Sequence, residues 1–242
     1  MKFCKETRLD KVKAVTKRIA LIMPPEETIC SIAIHPFVDN MYWYEKQFFK
    51  KCPIEECYLG DDDTYHEWFE DFCKKVNKAE DITRVYMFWR DPWKLTFMKL
   101  CGEYLSSEDY AEYLSDAWVT EENPNMDVNV TRKEAIKMFK SCDKKFLMTK
   151  EDYEYYINLP EEITIWRGVG YRRIELGLSW TDDEEKAKWF MNRWKSSDKD
   201  NERKLLQVTT NKKNVIAYFN TRDEREILLD VFAVQDKIEK IL

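Results

Sequence analysis

The spacing of apolar residues predicts helices over most of the first half of the chain. Between residues 7 and 22, apolar side chains recur every three or four positions, which is the period of one face of an α-helix. Pro24 and Pro25 follow and end that helix. A second stripe of this kind covers residues 65–76, and a third begins at Ser107. The first 120 residues are therefore expected to be mainly helical.

Three short segments break this helical pattern. The apolar run at residues 29–34 predicts a mostly buried strand, whereas the run at residues 85–89 fits a buried helix and a strand equally well. Asp91-Pro92 resembles a helix start, with an N-cap followed by proline at the first helical position. We therefore expect another helix from Asp91 to about residue 105.

The pattern changes after the polar stretch at residues 121–125, which is the best domain boundary in the sequence. Thr131 and Glu134 form a capping-box signature for one helix, and Thr149 is expected to cap another that buries Tyr153, Tyr156 and Ile157. From residue 162 to residue 234, strands alternate with turns and one helix. The fold class is thus α+β, with a helical domain of unknown role at residues 1–122 and a mixed domain at residues 123–242.

Composition narrows the class of protein further. The chain has 242 residues, of which 44% are apolar, so it can bury a sizeable core. Its net charge of −6 argues against a nonspecific nucleic-acid binder, although a local basic groove stays open. No apolar run is long enough to span a membrane, and the N-terminus has no hydrophobic leader. Seven scattered cysteines indicate reduced thiols, so we expect a cytoplasmic protein.

Arg167 lies at the end of an otherwise apolar strand face. Residues 163, 165 and 167 share that face by the two-residue period of a strand. A guanidinium there needs a partner, and for a lone strand arginine a structural ion pair with a protein carboxylate is the favoured interpretation. Gly168, Gly170 and Gly177 cluster around it, three of only five glycines. They allow a ligand to approach the backbone, or they serve tight turns.

Two hydroxyl residues follow on the next predicted strand. Ser179 and Thr181 point to one side and Trp180 to the other. Asp182 is placed to cap the next helix, with Glu185 completing a capping box. That helix is expected to bury Ala187, Phe190, Met191 and Trp194. The two hydroxyls form part of a ligand site or are simple helix-entry residues.

Glu224 and Glu226 lie where one strand, at residues 214–219, ends and another begins. Both are expected on the same face of the incoming strand. Two carboxylates this close raise the pKa of at least one of them, unless a cation such as Arg167 lies opposite. The alternative interpretation is a solvated sheet edge that carries protective charges.

Taken in order, these three motifs resemble the Arg-Ser-Glu class of ADP-ribosyltransferases. Arg167 matches that family's first-strand arginine, Ser179 and Thr181 match the ends of its Ser-Thr-Ser step, and the glutamates match its Glu-x-Glu. The resemblance covers about residues 130–242 and implies a split β-sandwich with flanking helices. Trp180 departs from it by replacing a small residue, Thr181 replaces a serine, and the loop before Glu224 is short.

The resemblance implies an NAD-dependent mono-ADP-ribosyltransferase that uses NAD as co-substrate. NAD would be bound by Arg167, Gly168, Ser179 and Thr181. Glu226 would drive cleavage of the bond between nicotinamide and ribose. Ser179 would hold Glu226 or the ribose in position, and Glu224 would orient or deprotonate the acceptor. That acceptor would be a macromolecule, with protein favoured over nucleic acid. Trp189 or Phe190 would stack on nicotinamide, although the helical stripe favours core packing for Phe190.

Two other functions fit the same residues. One is an NAD glycohydrolase in which water is the acceptor, and the other is a non-catalytic interaction module on the same fold. No metal is expected, because Cys52, Cys57, His66 and Cys73 lack the spacing of zinc ligands. The acidic run at residues 61–63 is interpreted as a solvated loop in which Asp63 caps the next helix.

Overall fold

The computed structural model describes residues 3–193 and 203–242, and their contacts divide into two compact units. One unit ends at Ser106 and the other begins at Ser107. The sequence predicts this boundary later, between residues 122 and 123. The two differ because the helix at Ser107–Thr120 packs against helices at Arg132–Lys140 and Lys144–Leu147. This helix therefore belongs to the C-terminal unit.

The N-terminal unit is built mainly from helices, as its sequence predicts. Its elements are α1 Leu9–Ile22, β1 Glu26–Glu27, β2 Ala33–Ile34, α2 Tyr44–Lys50, α3 Asp62–Lys78, α4 Ile82–Tyr86 and α5 Lys94–Cys101. The predicted helices α1 and α3 are confirmed. From α3, Trp68, Phe72 and Val76 enter the core of this unit. Among the described helices of the chain, none combines the length and apolarity needed to cross a bilayer.

The prediction of a buried strand at residues 29–34 is wrong. Cys30 and Ser31 have left-handed backbones with φ of 66° and 59°, which interrupt an extended chain. Only Ala33 is buried, in a two-residue strand, and Ile29 is 86% exposed. The run at residues 85–89 instead takes its helical alternative, because it contains the end of α4 and the turn after it.

Two predicted caps in this unit are also wrong. Asp61, rather than Asp63, caps α3, since its Oδ2 accepts a hydrogen bond of 2.9 Å from the Thr64 N–H. Asp91 lies in a 3₁₀ turn, Asp91–Trp93, that precedes α5. The pattern located both helices correctly and misplaced their first residues, which is where several neighbouring polar groups compete for the same role.

The C-terminal unit combines five helices with a sheet. Its helices are α6 Ser107–Thr120, α7 Arg132–Lys140, α8 Lys144–Leu147, α9 Lys150–Ile157 and α10 Glu184–Asn192. Its strands are β3 Glu162–Val169, β4 Ser179–Thr181, β5 Lys204–Asn211, β6 Val215–Phe219, β7 Glu226–Leu229 and β8 Glu239–Lys240. The capping box of Thr131 and the Thr149 cap are confirmed. The burial predicted for α9 is wrong at Ile157, which is 48% exposed.

All six strands join one antiparallel sheet in the order β6-β7-β4-β3-β5-β8. β3 pairs with β5 along its whole length, whereas β3 and β4 are joined only at the pair Trp166 and Thr181. The sheet is therefore two three-stranded halves connected by a single residue pair. With the helices around it, this confirms the predicted α+β class.

Gly168 allows helix α10 to lie directly on β3. A Cβ atom at this position would lie 1.9 Å from the carbonyl oxygen of Ala187, which is far inside van der Waals contact. Gly170 differs, because a Cβ there would meet its nearest atoms at an ordinary 3.6 Å. Gly168 was predicted to bind NAD, and the structure gives it a packing role at the wall of the candidate site.

We therefore expect Gly168→Ala to lower the free energy of unfolding by about 2 kcal/mol or more, because α10 must move off the sheet. Gly170→Ala is the matched control and is expected to change it by less than about 0.5 kcal/mol. Urea denaturation of both variants measures the two values. Equal stabilities would contradict the close packing at Gly168.

Candidate functional site

The C-terminal unit contains a cleft in which the residues predicted from three separate motifs meet. Its empty space is about 1030 Å³, a value that includes the open mouth. All six predicted site residues line it: Arg167, Gly168, Ser179, Thr181, Glu224 and Glu226. Further parts of the walls come from the segment at residues 121–125, from Trp118 on α6 and from Phe190 on α10. Ligand-binding sites typically measure roughly 300–1,000 Å³, so this cleft, even without its open mouth, has room for a small ligand.

Arg167 binds main-chain carbonyl groups rather than the carboxylate that a structural ion pair would supply. Its Nε donates to the Glu175 oxygen at 3.2 Å and its Nη2 to the Ile174 oxygen at 2.9 Å. Its Nη1 donates to the Ser179 oxygen at 2.5 Å. Burial lowers the pKa of Arg167 to about 10, an effect opposed by the charge of Glu226, so the guanidinium stays charged at neutral pH. Arg167 thus holds the connection between β3 and β4 in place.

Gly177 is required by this arrangement. A Cβ atom at Gly177 would lie 2.2 Å from Nη2 of Arg167. None of the glycines in the described residues has a positive φ, so Gly177 is not needed for a left-handed turn. It is needed because the Arg167 guanidinium lies so close to its Cα atom. The connecting loop can therefore wrap around the guanidinium only because position 177 lacks a side chain.

Glu226 is the first residue of β7 and carries a partly buried carboxylate at the cleft wall. Its Oε1 accepts a hydrogen bond of 2.9 Å from the indole N–H of Trp118, and the neighbouring Ser179 side chain also lowers the pKa of the carboxyl group. Burial raises the pKa of Glu226, and the negative charge of Glu224 adds to this, while the Ser179 and Trp118 side chains oppose it. The Trp118 N–H therefore orients one carboxylate oxygen, while burial makes the charged form of Glu226 less favourable.

Asn125 extends this hydrogen-bond chain. Its Nδ2 donates to the Ser179 Oγ at 3.1 Å, while its Oδ1 accepts from the Leu178 N–H at 2.5 Å. The Ser179 hydroxyl therefore accepts from Asn125 and can donate to Glu226. This is the contact expected if Ser179 positions the glutamate.

Thr181 follows the helix-entry interpretation. It is buried, and its Oγ1 accepts a hydrogen bond of 3.2 Å from the N–H of Asp183. Asp183 caps α10, so the predicted cap at Asp182 is wrong. Asp182 instead forms an ion pair with Arg225, a contact that depends on tertiary structure. The predicted capping box is also wrong, because the Glu185 side chain binds Lys188.

Glu224 reaches the cleft from a turn rather than from the strand. β7 begins only at Glu226, and the residues on either side of Glu224 have left-handed backbones, with φ of 54° at Asp223 and 49° at Arg225. The expectation that both glutamates share one strand face is therefore wrong, although both line the cleft. Their mutual repulsion is present as predicted, since Glu224 contributes to the raised pKa of Glu226.

Aromatic residues form another part of the wall. Phe190 is half-buried and lines the cleft. Trp189 is 52% exposed, and its ring packs edge to face against the Phe190 ring, with ring centres 5.0 Å apart. Phe190 is therefore accessible to a flat ligand ring, contrary to the core position that its helical spacing favours. Trp194, predicted in the same stripe, lies outside the described residues.

Trp180, the main departure from the family pattern, is accommodated in the core. Only 2% of it is exposed, and its indole N–H donates to the Gly177 oxygen at 3.0 Å. The large side chain is thus largely removed from the cleft, and β4 keeps Ser179 in contact with Glu226. A small residue at this position is not needed for that contact.

Trp118 and Asn125 were missed by the sequence analysis. Trp118 continues the buried stripe of α6. A buried tryptophan needs an acceptor for its N–H, and this need is the only local sign that Trp118 has a polar partner. The acceptor lies 108 residues further along the chain. Asn125 was assigned to a boundary loop, where asparagine is common, so its sequence carried no signal of a site.

Charged residues of both signs line the cleft. Four are arginines, at Arg167, Arg173, Arg193 and Arg222, and four are glutamates, at Glu121, Glu122, Glu224 and Glu226. Arginine favours phosphate groups because its planar fork donates two parallel hydrogen bonds. The described residues hold no cluster of three or more His, Cys, Asp or Glu side chains suited to a metal ion.

We expect Trp118→Phe to raise the pKa of Glu226 further, because the variant loses the N–H that stabilises the charged carboxylate while it keeps an aromatic ring in the core. Trp89→Phe is the matched control. Its buried indole also donates to a side chain, the Thr16 Oγ1 at 3.2 Å, but in the N-terminal unit. Carboxyl carbon chemical shifts of Glu226 followed by NMR against pH measure the change. An unchanged titration in Trp118→Phe would contradict the hydrogen bond.

Comparisons of this chain with known proteins find no matching family model, no similar curated protein and no similar solved structure.

Proposed function

We propose that the C-terminal unit is an NAD-dependent mono-ADP-ribosyltransferase that modifies a macromolecular acceptor. The observation that carries this proposal is the meeting of Arg167, Ser179 and Glu226 in one cleft. The Ser179 backbone oxygen accepts from Arg167, and the Ser179 side chain favours the charged form of Glu226. The sheet supports it as well. Two three-stranded halves joined by one residue pair are compatible with the split β-sandwich of this class.

NAD would bind with its pyrophosphate near the arginines of the cleft. Arg173 and Arg222 both line it and can form charge-assisted hydrogen bonds with phosphate oxygens. Arg167 would act mainly by shaping the loop at residues 174–179, since three of its N–H groups already bind that loop. Phe190 offers a ring on which nicotinamide can stack.

The chemistry follows from the position of Glu226. The bond between nicotinamide nitrogen and C1′ of the ribose breaks, and nicotinamide leaves as a neutral base with the bonding electron pair. Positive charge then develops on the ribose as an oxocarbenium ion. The Glu226 carboxylate, accepting a hydrogen bond from the ribose 2′-hydroxyl, stabilises that charge most strongly in the transition state.

Glu224 would serve the second half of the reaction. The acceptor nucleophile attacks C1′ and loses a proton, which Glu224 at the cleft wall would accept. The net reaction converts NAD and a protonated acceptor into ADP-ribosylated acceptor, nicotinamide and one proton. With water as the acceptor, the same steps produce free ADP-ribose.

The proposal is tested by incubating the protein with adenine-labelled NAD and a soluble cell lysate that supplies acceptors. Nicotinamide release and label in acid-insoluble protein are then both measured. Release with labelled protein supports transfer. Release with free ADP-ribose alone would replace transfer with NAD glycohydrolysis. No release and no NAD binding by calorimetry would leave the non-catalytic interaction module.

A further inference from the structure

We propose that Arg225 is a positioning residue that holds Glu224 and Glu226 at the cleft. The expected effect of Arg225 on catalysis rests on the proposed function, whereas its expected effect on the position of Glu226 does not. Arg225 stands between the two glutamates but is absent from the cleft lining formed by the described residues. Its Nε donates to the Asp182 Oδ1 at 2.7 Å, and its Nη2 donates to the Tyr155 hydroxyl at 3.1 Å.

The groups that hold Arg225 are themselves well fixed. The Asp182 side chain is only 9% exposed, and its other oxygen accepts a hydrogen bond from the Tyr155 hydroxyl. Tyr155 stacks on Tyr218 of β6, with ring centres 4.2 Å apart. The three polar groups thus close a triangle that links α9, the segment between β4 and α10, and the turn before β7. The Asp182 side of this ion pair is shielded from water, whereas the Arg225 side chain is 39% exposed, so the geometry of the triangle contributes more to positioning than the charge attraction does.

The backbone of this turn needs such an anchor. Asp223 and Arg225 are both left-handed, which is unfavourable for residues other than glycine. Asn220 supports the turn, because its backbone oxygen accepts from the Asp223 N–H at 2.9 Å and its Oδ1 from the Arg225 N–H at 3.0 Å. The guanidinium bonds the turn to two residues outside it, Asp182 and Tyr155.

Glu226 follows Arg225 directly, so movement of the turn moves its carboxylate. On the cleft side the carboxylate accepts a hydrogen bond from Trp118. The Glu226 backbone pairs with Thr181 and Phe219 at the very start of β7, directly after the turn that Arg225 anchors. Loss of the anchor should therefore loosen the hydrogen bond from Trp118 to Glu226. This effect is expected without any ligand.

The first test is an NMR measurement on protein labelled with ¹⁵N at its nine tryptophans. The indole N–H resonance of Trp118, identified by its loss in Trp118→Phe, is expected to move in Arg225→Gln and in Asp182→Asn. Arg172→Gln is the matched control, since Arg172 is exposed and also left-handed, with φ of 56°. An unmoved Trp118 resonance in both variants would overturn the proposal. Because Asp182→Asn keeps the shape of its side chain, it remains informative if Arg225→Gln fails to fold.

The second test is kinetic. We expect Arg225→Gln and Asp182→Asn each to lower kcat for nicotinamide release about 10- to 100-fold and to change the KM for NAD less than about twofold, because misplacement of the reacting groups affects the chemical step. The double variant should lose no more than the worse single variant. Unchanged kcat, or a rise in KM alone, would overturn the positioning role. Absence of turnover in the unaltered protein would instead overturn the proposed function, and the NMR test would still decide the geometry.

Discussion

Glu226→Gln is expected to reduce nicotinamide release at least about 10³-fold while the protein stays folded. The amide keeps the size of the carboxylate and can still accept from Trp118, and its NH₂ group can donate to the Ser179 hydroxyl. It cannot supply the negative charge that stabilises the oxocarbenium ion, and electrostatic stabilisation of this kind is usually the largest contribution to catalysis. The change thus separates charge from shape.

Stability should respond to the same substitution in the opposite direction. The folded protein raises the pKa of Glu226, so its protonated form is favoured by folding. This contribution is fully present below the unfolded-state pKa and is lost as pH rises through the folded-state pKa. At neutral pH the ionised carboxylate therefore costs stability that a neutral glutamine does not. We expect Glu226→Gln to unfold at higher temperature than the unaltered protein at pH 7, with the difference vanishing in acid.

Both effects can be measured between pH 4 and pH 8, roughly the range in which a shifted glutamate titrates. The two measurements are nicotinamide release and thermal unfolding. Glu185→Gln is the control, because Glu185 is an exposed glutamate that binds only a surface lysine in this structure. Activity of the unaltered protein should fall in acid at a pH above the ordinary pKa of glutamate. Full turnover in Glu226→Gln would remove Glu226 from catalysis.

Arg167→Lys is expected to cause the largest loss of stability. Three carbonyl oxygens accept hydrogen bonds from the guanidinium, and a single ammonium group cannot reach all of them with the same geometry. The acceptors at Ile174 and Ser179 are partly buried, whereas the one at Glu175 is exposed. A shielded hydrogen bond to a charged donor contributes about 1.5–3 kcal/mol, so loss of these two bonds should lower the free energy of unfolding by about 3 kcal/mol or more. The β3–β4 loop would then release Ser179, and nicotinamide release should fall about 100-fold.

Urea denaturation and nicotinamide release of Arg167→Lys test this prediction, with Arg172→Lys as a control at an exposed arginine of the same connection. The control should match the unaltered protein in both measurements. Wild-type stability in Arg167→Lys with a raised KM for NAD would show that Arg167 binds the ligand and does not hold the loop.

Much of the secondary structure was predictable because its signals are local. The stripes of α1, α3 and α6 repeat at helical spacing, and the capping box at Thr131 uses groups three residues apart. The strands that carry Arg167, Ser179 and Glu226 were also predicted, and these residues do meet in one cleft. Errors fell where the local signal was ambiguous, as in the apolar run at residues 29–34, whose backbone is interrupted by left-handed residues.

The contacts within the site were much less predictable. The choice of Asp183 over Asp182 as the α10 cap depends on Arg225, which binds Asp182 from 43 residues away. The role of Gly168 depends on how closely α10 approaches β3, and the acceptors of Arg167 depend on the path of a loop. None of these distances can be inferred from neighbouring residues.

The sequence by itself determined the main helices α1, α3, α6 and α7, the strands that carry the three motifs, the α+β class and the chain order of those motifs. Side-chain periodicity and capping act over a few residues, so these features can be predicted locally. Only the tertiary structure decided the partners of the reactive groups. It places Trp118 and Asn125 beside the Ser179 and Glu226 side chains, and main-chain carbonyls around Arg167. The physical reason is that a buried polar group must find a partner, but which partner it finds depends on how distant segments pack.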